Sequence, residues 1–161
     1  MKASRMIALL GAASLIGTLL ALYVAHQEPA PKIQPAPAAF TVSQGRAYFV
    51  ENRHAGKLYV IEGEVTNNLA EPRCLIAIKA SLLDDGGGLV AQEFPVAGLT
   101  ATVSGLKFLD WEELRASLVP PGADPCGATR LAPGQAARFM AVFRDPPDKA
   151  ASFSLSVAGS Q

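Results

Sequence analysis

The pattern of hydrophobic and polar residues divides the chain near residue 40. Residues 6–25 are mostly apolar and carry no charge. Beyond residue 40, apolar and polar residues alternate in several short runs, which is the period of a β-strand with one buried face. The first pattern predicts a membrane-spanning helix, and the second predicts a domain built mainly from strands.

Five runs in the second part have the alternation expected of strands. They cover residues 46–50, 58–67, 75–83, 138–143 and 152–158. Residues that favour turns separate them, including the Asn67-Asn68 pair and the three glycines that follow Asp85. Short strands at this spacing predict an all-β fold, a small antiparallel immunoglobulin-like β-sandwich over residues 41–161.

One short helix is predicted within the sandwich. Asp110 is a suitable N-cap, and Glu113 completes a capping box three residues later. Apolar side chains recur at helical spacing, at Phe108, Trp111, Leu114 and Leu118. We expect this helix to cover an edge or an end of the sandwich. Trp111 is a possible interface residue if its ring points outward, whereas an inward ring would belong to the core.

The apolar run at the start is long enough to cross a bilayer as a helix. Its twenty residues would span about 30 Å, the thickness of the hydrocarbon core. Lys2 and Arg5 precede it and Glu28 is the first charge after it, so residues 1–5 are predicted to be cytoplasmic and the rest exported. A cleaved secretory signal is the alternative. Bulky Tyr23 near the candidate cleavage site and the length of the run favour a retained signal anchor.

Small residues recur at every fourth position of the predicted transmembrane helix, at Ala13, Gly17 and Ala21. A face of this kind permits the close approach of a second helix, so it is a possible helix–helix contact. The alternative is an alanine-rich membrane helix without a partner.

A Pro/Ala-rich linker, residues 26–40, joins the two parts. Its four prolines disfavour both a helix and a central strand. We expect an extended spacer of about 3 Å per residue, which can hold the domain up to roughly 40 Å from the membrane.

The polar residues offer little material for chemistry. The chain has 14 basic and 14 acidic residues, and beyond residue 40 the balance is eleven against thirteen. This balance indicates neither a nucleic-acid-binding stripe nor a basic surface directed at a membrane. The two histidines and two cysteines lie far apart and suggest no metal site and no activated nucleophile. We therefore expect no enzyme activity, no cofactor and no metal.

Cys74 and Cys126 are a possible disulfide. Two cysteines in an exported domain most simply pair with each other. A bond across their separation of 52 residues would stabilise the fold by about 4 kcal/mol in the chain-entropy account. Free thiols and a redox pair are the alternatives, and a redox pair usually has a Cys-x-x-Cys motif that this chain lacks.

Several strand and turn motifs resemble a known family. They are GEVTN at 63–67, IAIKASLLD at 76–84, LAPG at 131–134, FMAVF at 139–143 and FSLSV at 153–157. Over roughly residues 45–159 they resemble an uncharacterised bacterial family of membrane-anchored β-sandwich proteins, similar to FxLYD-like domains. Members typically carry an N-terminal zinc ribbon, one transmembrane helix, a spacer and the exported sandwich. Only five residues, none a cysteine, precede the predicted helix here, so we expect this chain to lack the zinc ribbon. Ser104 also stands where related sequences often have the cysteine of a Cys-Gly pair.

The resemblance implies a single-pass protein of the bacterial inner membrane with a periplasmic C-terminal domain, and it supplies no catalytic residues. We expect a non-catalytic envelope protein, anchored through residues 6–25, whose sandwich mediates protein–protein interaction or complex assembly. Its partner is expected to be another envelope protein. The alternative is a secreted or anchored module that binds a small molecule or glycan, which would require a concave pocket with convergent polar groups.

Overall fold

The computed structural model describes residues 38–161. The elements in this part are β1 (Phe40–Asn52), β2 (Gly56–Asn67), β3 (Ala77–Leu83), β4 (Leu89–Glu93), α1 (Val103–Phe108), α2 (Trp111–Ser117), α3 (Pro125–Ala128), β5 (Ala136–Arg144) and β6 (Ser152–Gly159). None of the helices within 38–161 is long and apolar enough to cross a membrane. The predicted transmembrane helix at 6–25, its small-residue face and most of the predicted linker lie outside the described residues.

The strands form two three-stranded antiparallel sheets that pack as a sandwich. The first sheet has the order β1-β2-β5 and the second has the order β4-β3-β6. The prediction of a small antiparallel β-sandwich is confirmed. In each sheet the central strand pairs with its hairpin neighbour on one side and with a strand from the end of the chain on the other.

Alternation along the strands places one set of apolar side chains between the sheets. The buried residues there include Ile61 and Val65 of β2, Phe139 and Ala141 of β5, and Ile78, Ala80 and Leu82 of β3. Gly63 is part of this packing, because a Cβ atom at that position would lie 2.5 Å from Cζ of Phe139 and 2.8 Å from the carbonyl oxygen of Ser43. The absence of a side chain at residue 63 lets the Phe139 ring lie against β2.

The first sheet is buried on both faces. Leu58 and Val60 of β2, together with Met140 and Val142 of β5, point away from the second sheet. Their side chains pack under Leu106 of α1 and Leu114 of α2, in a second core layer. The helices therefore cover one face of a sheet, and the sandwich has a third layer over part of its surface.

The predicted helix corresponds to α2, and its capping box is present. The carboxylate of Asp110 accepts the Glu113 N–H at 2.9 Å, and that of Glu113 accepts the Asp110 N–H at 3.2 Å. The expectation that Phe108 belongs to the same apolar stripe is wrong, because Phe108 ends α1 and is 56% exposed. The hydrophobic pattern does not predict α1, α3 or β4.

Asn52 connects the β1–β2 hairpin to the helical layer. Its side-chain amide donates to the carbonyl oxygens of Leu106 at 2.8 Å and Leu109 at 2.9 Å. Its Oδ1 accepts the N–H groups of His54 at 2.8 Å and Ala55 at 2.6 Å. A buried asparagine with this many partners fixes the end of α1 against the hairpin.

Candidate binding groove

A narrow groove opens where the helical layer meets the edge of the first sheet. Three segments that are distant in sequence line it, residues 93–95 after β4, residues 111–119 of α2 and its C-terminal end, and residues 140–142 of β5. Its volume is about 130 Å³. A space of this size accommodates about one large apolar side chain rather than a whole small-molecule substrate, whose pockets usually exceed about 300 Å³.

The edge of β5 opens into this groove. In an antiparallel ladder, successive residues direct their N–H and C=O groups alternately toward and away from the neighbouring strand. The Arg138 carbonyl points away from β2, because it accepts the N–H of Gly98 at 2.8 Å. The backbone N–H and C=O groups of Met140 and Val142, two and four residues later, also point away from β2. Neither has a backbone partner on this side within residues 38–161, so the groove contains available donors and acceptors.

The segment after β4 explains why the edge becomes free at this point. Ala97 donates its N–H to the Ile76 carbonyl at 2.9 Å, and Gly98 donates to Arg138. These two bonds carry the chain from the second sheet to the first. The chain then turns back at Leu99, whose N–H donates to the carbonyl of Val96 at 3.3 Å. The chain therefore covers β5 at Arg138 and leaves the edge beyond it uncovered by backbone.

Apolar side chains form the rim of the groove. Phe94 is 53% exposed and Val119 is 61% exposed, and both line the groove with Leu118. Large apolar side chains exposed around a concave site are typical of a recognition surface. This rim distinguishes the groove from a gap in packing.

Trp111 has a part in both the core and the groove. It is half-buried and packs against the cluster under the helices, while it also lines the groove. The buried Leu114 and the capping box fix α2 and therefore the position of the indole. The guanidinium carbons of Arg115 and Arg144 each lie 6.0 Å from the Trp111 ring centroid, at the outer limit of a cation–π contact.

Glu93 is the acidic group in the groove. Its partial burial raises the pKa of its carboxyl group, and the positive charge of Arg115 opposes that rise. The groove therefore combines an apolar rim, free backbone groups and one carboxylate near one guanidinium.

A separate polar cluster lies on the helix-covered face of the first sheet, beyond the helices. The Tyr48 hydroxyl donates to Glu62 at 2.6 Å, and Nε of Arg46 donates to the same carboxylate at 2.9 Å. Burial and this hydrogen bond raise the pKa of Tyr48 to about 12. Burial alone would raise the pKa of Glu62, but the hydrogen bonds from Tyr48 and Arg46 and the charges of Arg46 and Arg138 lower it. The cluster is a paired cross-strand network without an activated base or nucleophile.

Cys74 and Cys126 are joined by a disulfide in the structure, with Cα atoms 5.1 Å apart. Of the three alternatives left by the sequence, this geometry corresponds to the structural bond. Cys74 also exchanges two backbone hydrogen bonds with Gln161, at 2.7 and 2.8 Å. The bond therefore attaches α3 to the segment that leads into β3.

The described residues contain no group of three His, Cys, Asp or Glu side chains arranged to hold a metal ion. Asp84, the acidic residue at the start of the β3–β4 turn, accepts the N–H groups of Gly86 at 3.0 Å and Gly88 at 2.7 Å. Its carboxylate therefore stabilises the turn. His54 is exposed in the β1–β2 turn.

Among the residues that line the groove, the sequence pattern indicates Trp111 and does not indicate the others. Glu93, Phe94 and Val119 belong to segments whose proximity depends on the three-layer packing. One signal was present, because Met140 and Val142 are apolar on the side of β5 opposite to Phe139. Such a strand must be covered on both faces.

Comparison with known proteins gives one family match. The family described as "Protein of unknown function (DUF3426)" matches residues 41–157, which extend from β1 into β6. No curated protein and no solved structure shows a significant match to the chain.

Proposed function

The chain belongs to the DUF3426 family, and on that premise we propose that its sandwich is a non-catalytic protein-binding module. In this proposal the partner contributes a short extended segment, which lies along the edge of β5 and places one apolar side chain in the groove. The main support is the open edge at Met140 and Val142, adjacent to an apolar rim. Strand addition of this kind gives affinity through main-chain bonds and specificity through a side-chain pocket.

The size and composition of the groove favour a peptide over a small molecule. A volume of about 130 Å³ is small for a substrate or cofactor. Its donors and acceptors are backbone groups in a row, which match the spacing of another strand. A glycan or small-molecule module, the alternative, would need several convergent polar side chains, and Glu93 and Arg115 are the charged groups in the lining.

The wider setting is also part of the proposal. We place the module in the bacterial cell envelope, anchored in the inner membrane by residues 6–25 and held by the linker on the periplasmic side. This rests on the apolar run, the flanking charges and the proline-rich linker. The likeness to FxLYD-like domains, and to proteins in which a zinc ribbon precedes the anchor, belongs to the same proposal. The partner is then another envelope protein.

Site-directed photocrosslinking in cells tests this function. The photoreactive residue p-benzoylphenylalanine would replace Phe94 or Val119 on the rim, and in a control it would replace Lys79, which is exposed on the outer face of β3. We expect both rim positions to crosslink to one contiguous segment of one protein, and the Lys79 position to give no such product.

Two substitutions of one residue show whether the β5 edge is involved. Val142→Pro removes the N–H that faces the groove and no ladder bond to β2, whereas Val142→Ala shortens the same side chain and keeps the N–H. We expect the crosslink to persist in Val142→Ala and to disappear in Val142→Pro, with the fluorescence of Trp111 showing that both variants are folded. An unchanged crosslink in folded Val142→Pro, or equal crosslinking from Lys79, would refute binding at this edge.

A further inference from the structure

The layer between the two sheets is open along one side of the sandwich. β1 and β6 are edge strands of their sheets, and their apolar side chains pack into the same core clusters there. These side chains are only partly buried, whereas Ile78 and Leu82 of the central strand β3 are fully buried. We call this row the seam and define it by Phe40, Val42, Phe153, Leu155 and Val157.

The backbone of β6 is unpaired along the seam. Ile78 of β3 donates its N–H to Pro95 on the β4 side, at 2.8 Å. Val157 lies directly opposite Ile78, so its N–H and C=O groups point away from β3. The same groups of Leu155 and Phe153, two and four residues earlier, point in that direction too. None of these three residues has a backbone partner on this side within residues 38–161.

β6 lacks the features that usually prevent two edge strands from pairing. Those features include charged side chains, prolines and bulges. Residues 150–161 contain no charged side chain and no proline, and the pairing of β6 with β3 is regular from Ser152 to Val157. β1, by contrast, has an irregularity in its pairing at Gly45 and exposes Arg46 beside it. β6 is therefore the strand on this side that is open to another strand.

The thickness of the seam indicates what covers it. A single peptide strand added to β6 would leave Phe40 and Val42 of β1 uncovered, because packed sheets lie about 10 Å apart. A second sandwich brings two layers of the same spacing, so its own seam can cover both strands.

The sequence of β6 is compatible with its own copy. With a two-fold axis at Leu155, Phe153 lies opposite Val157 of the second copy, and Ser154 lies opposite Ser156 of the second copy. Apolar residues then face apolar residues, serines face serines, and no like charges meet. In this register all three residues with free backbone groups form hydrogen bonds to the second copy.

We propose that two copies of this domain pair through β6, antiparallel and with Leu155 on the two-fold axis. The second sheets of the two copies then form one continuous sheet, and the two seams close against each other. The groove lies at β5, the edge of the first sheet opposite to β1. Pairing and peptide binding therefore use different sides of the sandwich, and either can fail without the other.

Engineered cysteines in the purified full-length chain test the partner and the register together. Ser154→Cys and Ser156→Cys, at exposed positions of β6, would be made as separate chains, mixed and oxidised, and linked peptides would be identified by mass spectrometry. We expect the mixture to give at least about fivefold more linkage between chains than Ser154→Cys alone, because opposite Cβ atoms lie about 5 Å apart and diagonal residues about 7 Å apart. A disulfide requires the shorter separation.

Charge variants show whether a second copy is the partner. Ser154→Lys with Ser156→Lys places like charges opposite each other, and we expect it to convert the dimer to a monomer in analytical ultracentrifugation. Thr100→Lys with Ala123→Lys, an equal change of charge at exposed positions, should leave the dimer intact. Adding a chain with Ser154→Glu and Ser156→Glu to the β6 lysine variant should restore a mixed dimer. The fluorescence of Trp111 shows that each variant is folded.

Three results would overturn the proposal. The first is an unaltered chain that sediments as a monomer. The second is association that the lysine pair in β6 leaves unchanged, which would place the contact elsewhere in the chain. The third is a cysteine linkage that forms equally in the mixture and in Ser154→Cys alone, which would exclude the register centred on Leu155.

Discussion

Replacing Asn52 by alanine removes four side-chain hydrogen bonds. Two of them join the β1–β2 hairpin to α1 and its C-cap residue, and two are accepted from N–H groups within the hairpin turn. Each such bond contributes about 0.5–1.5 kcal/mol net, and buried partners left without a bond cost more. Water can reach some of the released groups, because two of the four bonds are only partly buried. We therefore expect Asn52→Ala to lower the free energy of unfolding by about 3 kcal/mol.

Urea unfolding of the full-length chain measures this loss. Trp111 is the single tryptophan and packs in the cluster that Asn52 supports, so its fluorescence reports on the affected layer. With a urea dependence of about 1.5 kcal/mol per molar, the midpoint should fall by about 2 M. Asn68→Ala is the matched control, because Asn68 makes two exposed side-chain bonds and should lose less than about 1 kcal/mol.

Asn52→Asp separates the donated from the accepted bonds. The variant keeps an acceptor for the N–H groups of His54 and Ala55, but its carboxylate faces the carbonyl oxygens of Leu106 and Leu109. That repulsion raises the carboxyl pKa of the substituted residue in the folded state, so the variant should gain stability as pH falls. If the free energy of unfolding of Asn52→Ala lies within about 1 kcal/mol of that of the unaltered chain, the role assigned to Asn52 is refuted.

Further predictions concern the disulfide, the close packing at β2 and the polar cluster. Cys126→Ser should lower the free energy of unfolding by about 4 kcal/mol, because it opens a loop of 52 residues; urea unfolding without reductant measures this. Gly63→Ala should cost about 3 kcal/mol through overpacking, whereas Gly122→Ala, with no atom within 4 Å of the new Cβ, should leave the thermal midpoint unchanged. Tyr48 should ionise near pH 12 in a spectrophotometric titration, and stability that its raised pKa provides should be lost from about pH 10 to 12. The pKa of Glu62 is lower in the folded state than in the unfolded chain. Glu62 therefore adds to the free energy of unfolding above its ordinary pKa, and this stabilisation is lost as the pH falls through the folded-state pKa. Glu62→Gln should flatten the acid limb of the stability curve.

Each of these predictions has an outcome that contradicts it. A Cys126→Ser chain as stable as the oxidised chain would show that the bond does not constrain the unfolded state. Equal midpoints for Gly63→Ala and Gly122→Ala would mean that β2 and Phe139 can separate at no cost. Ionisation of Tyr48 near pH 10, or an acid limb unchanged by Glu62→Gln, would show that the burial of Tyr48 and its hydrogen bond to Glu62 do not persist in solution.

The alternation of apolar and polar residues predicted the strands that pack one face against the opposite sheet. The predicted strands at 58–67, 138–143 and 152–158 lie within β2, β5 and β6, since one face of each contacts the opposite sheet. β4 was missed because Leu89–Glu93 is short and its Leu89 is exposed. α1 was missed because it buries one residue, Leu106, and depends instead on the Thr102 cap and on Asn52.

The candidate site was less predictable than the fold, for a physical reason. A groove is a property of the space between elements, and Glu93, Trp111 and Val142 become neighbours only after α2 packs on the first sheet. Trp111 was identifiable from the sequence because capping and helical spacing are local signals.

The strand order has a consequence for how the domain folds during synthesis, when the N-terminal residues are made first. The β1–β2 and β3–β4 hairpins can each form early, because their strands are neighbours in sequence. Each central strand nevertheless lacks its second partner until β5 and β6, which begin at Ala136 and Ser152, have been synthesised. Until then two hairpins with exposed apolar faces exist side by side, and closing them requires contacts across about half the chain. Such long-range closure is slow, so the nascent protein passes through an interval in which its apolar strand faces are available to molecular chaperones.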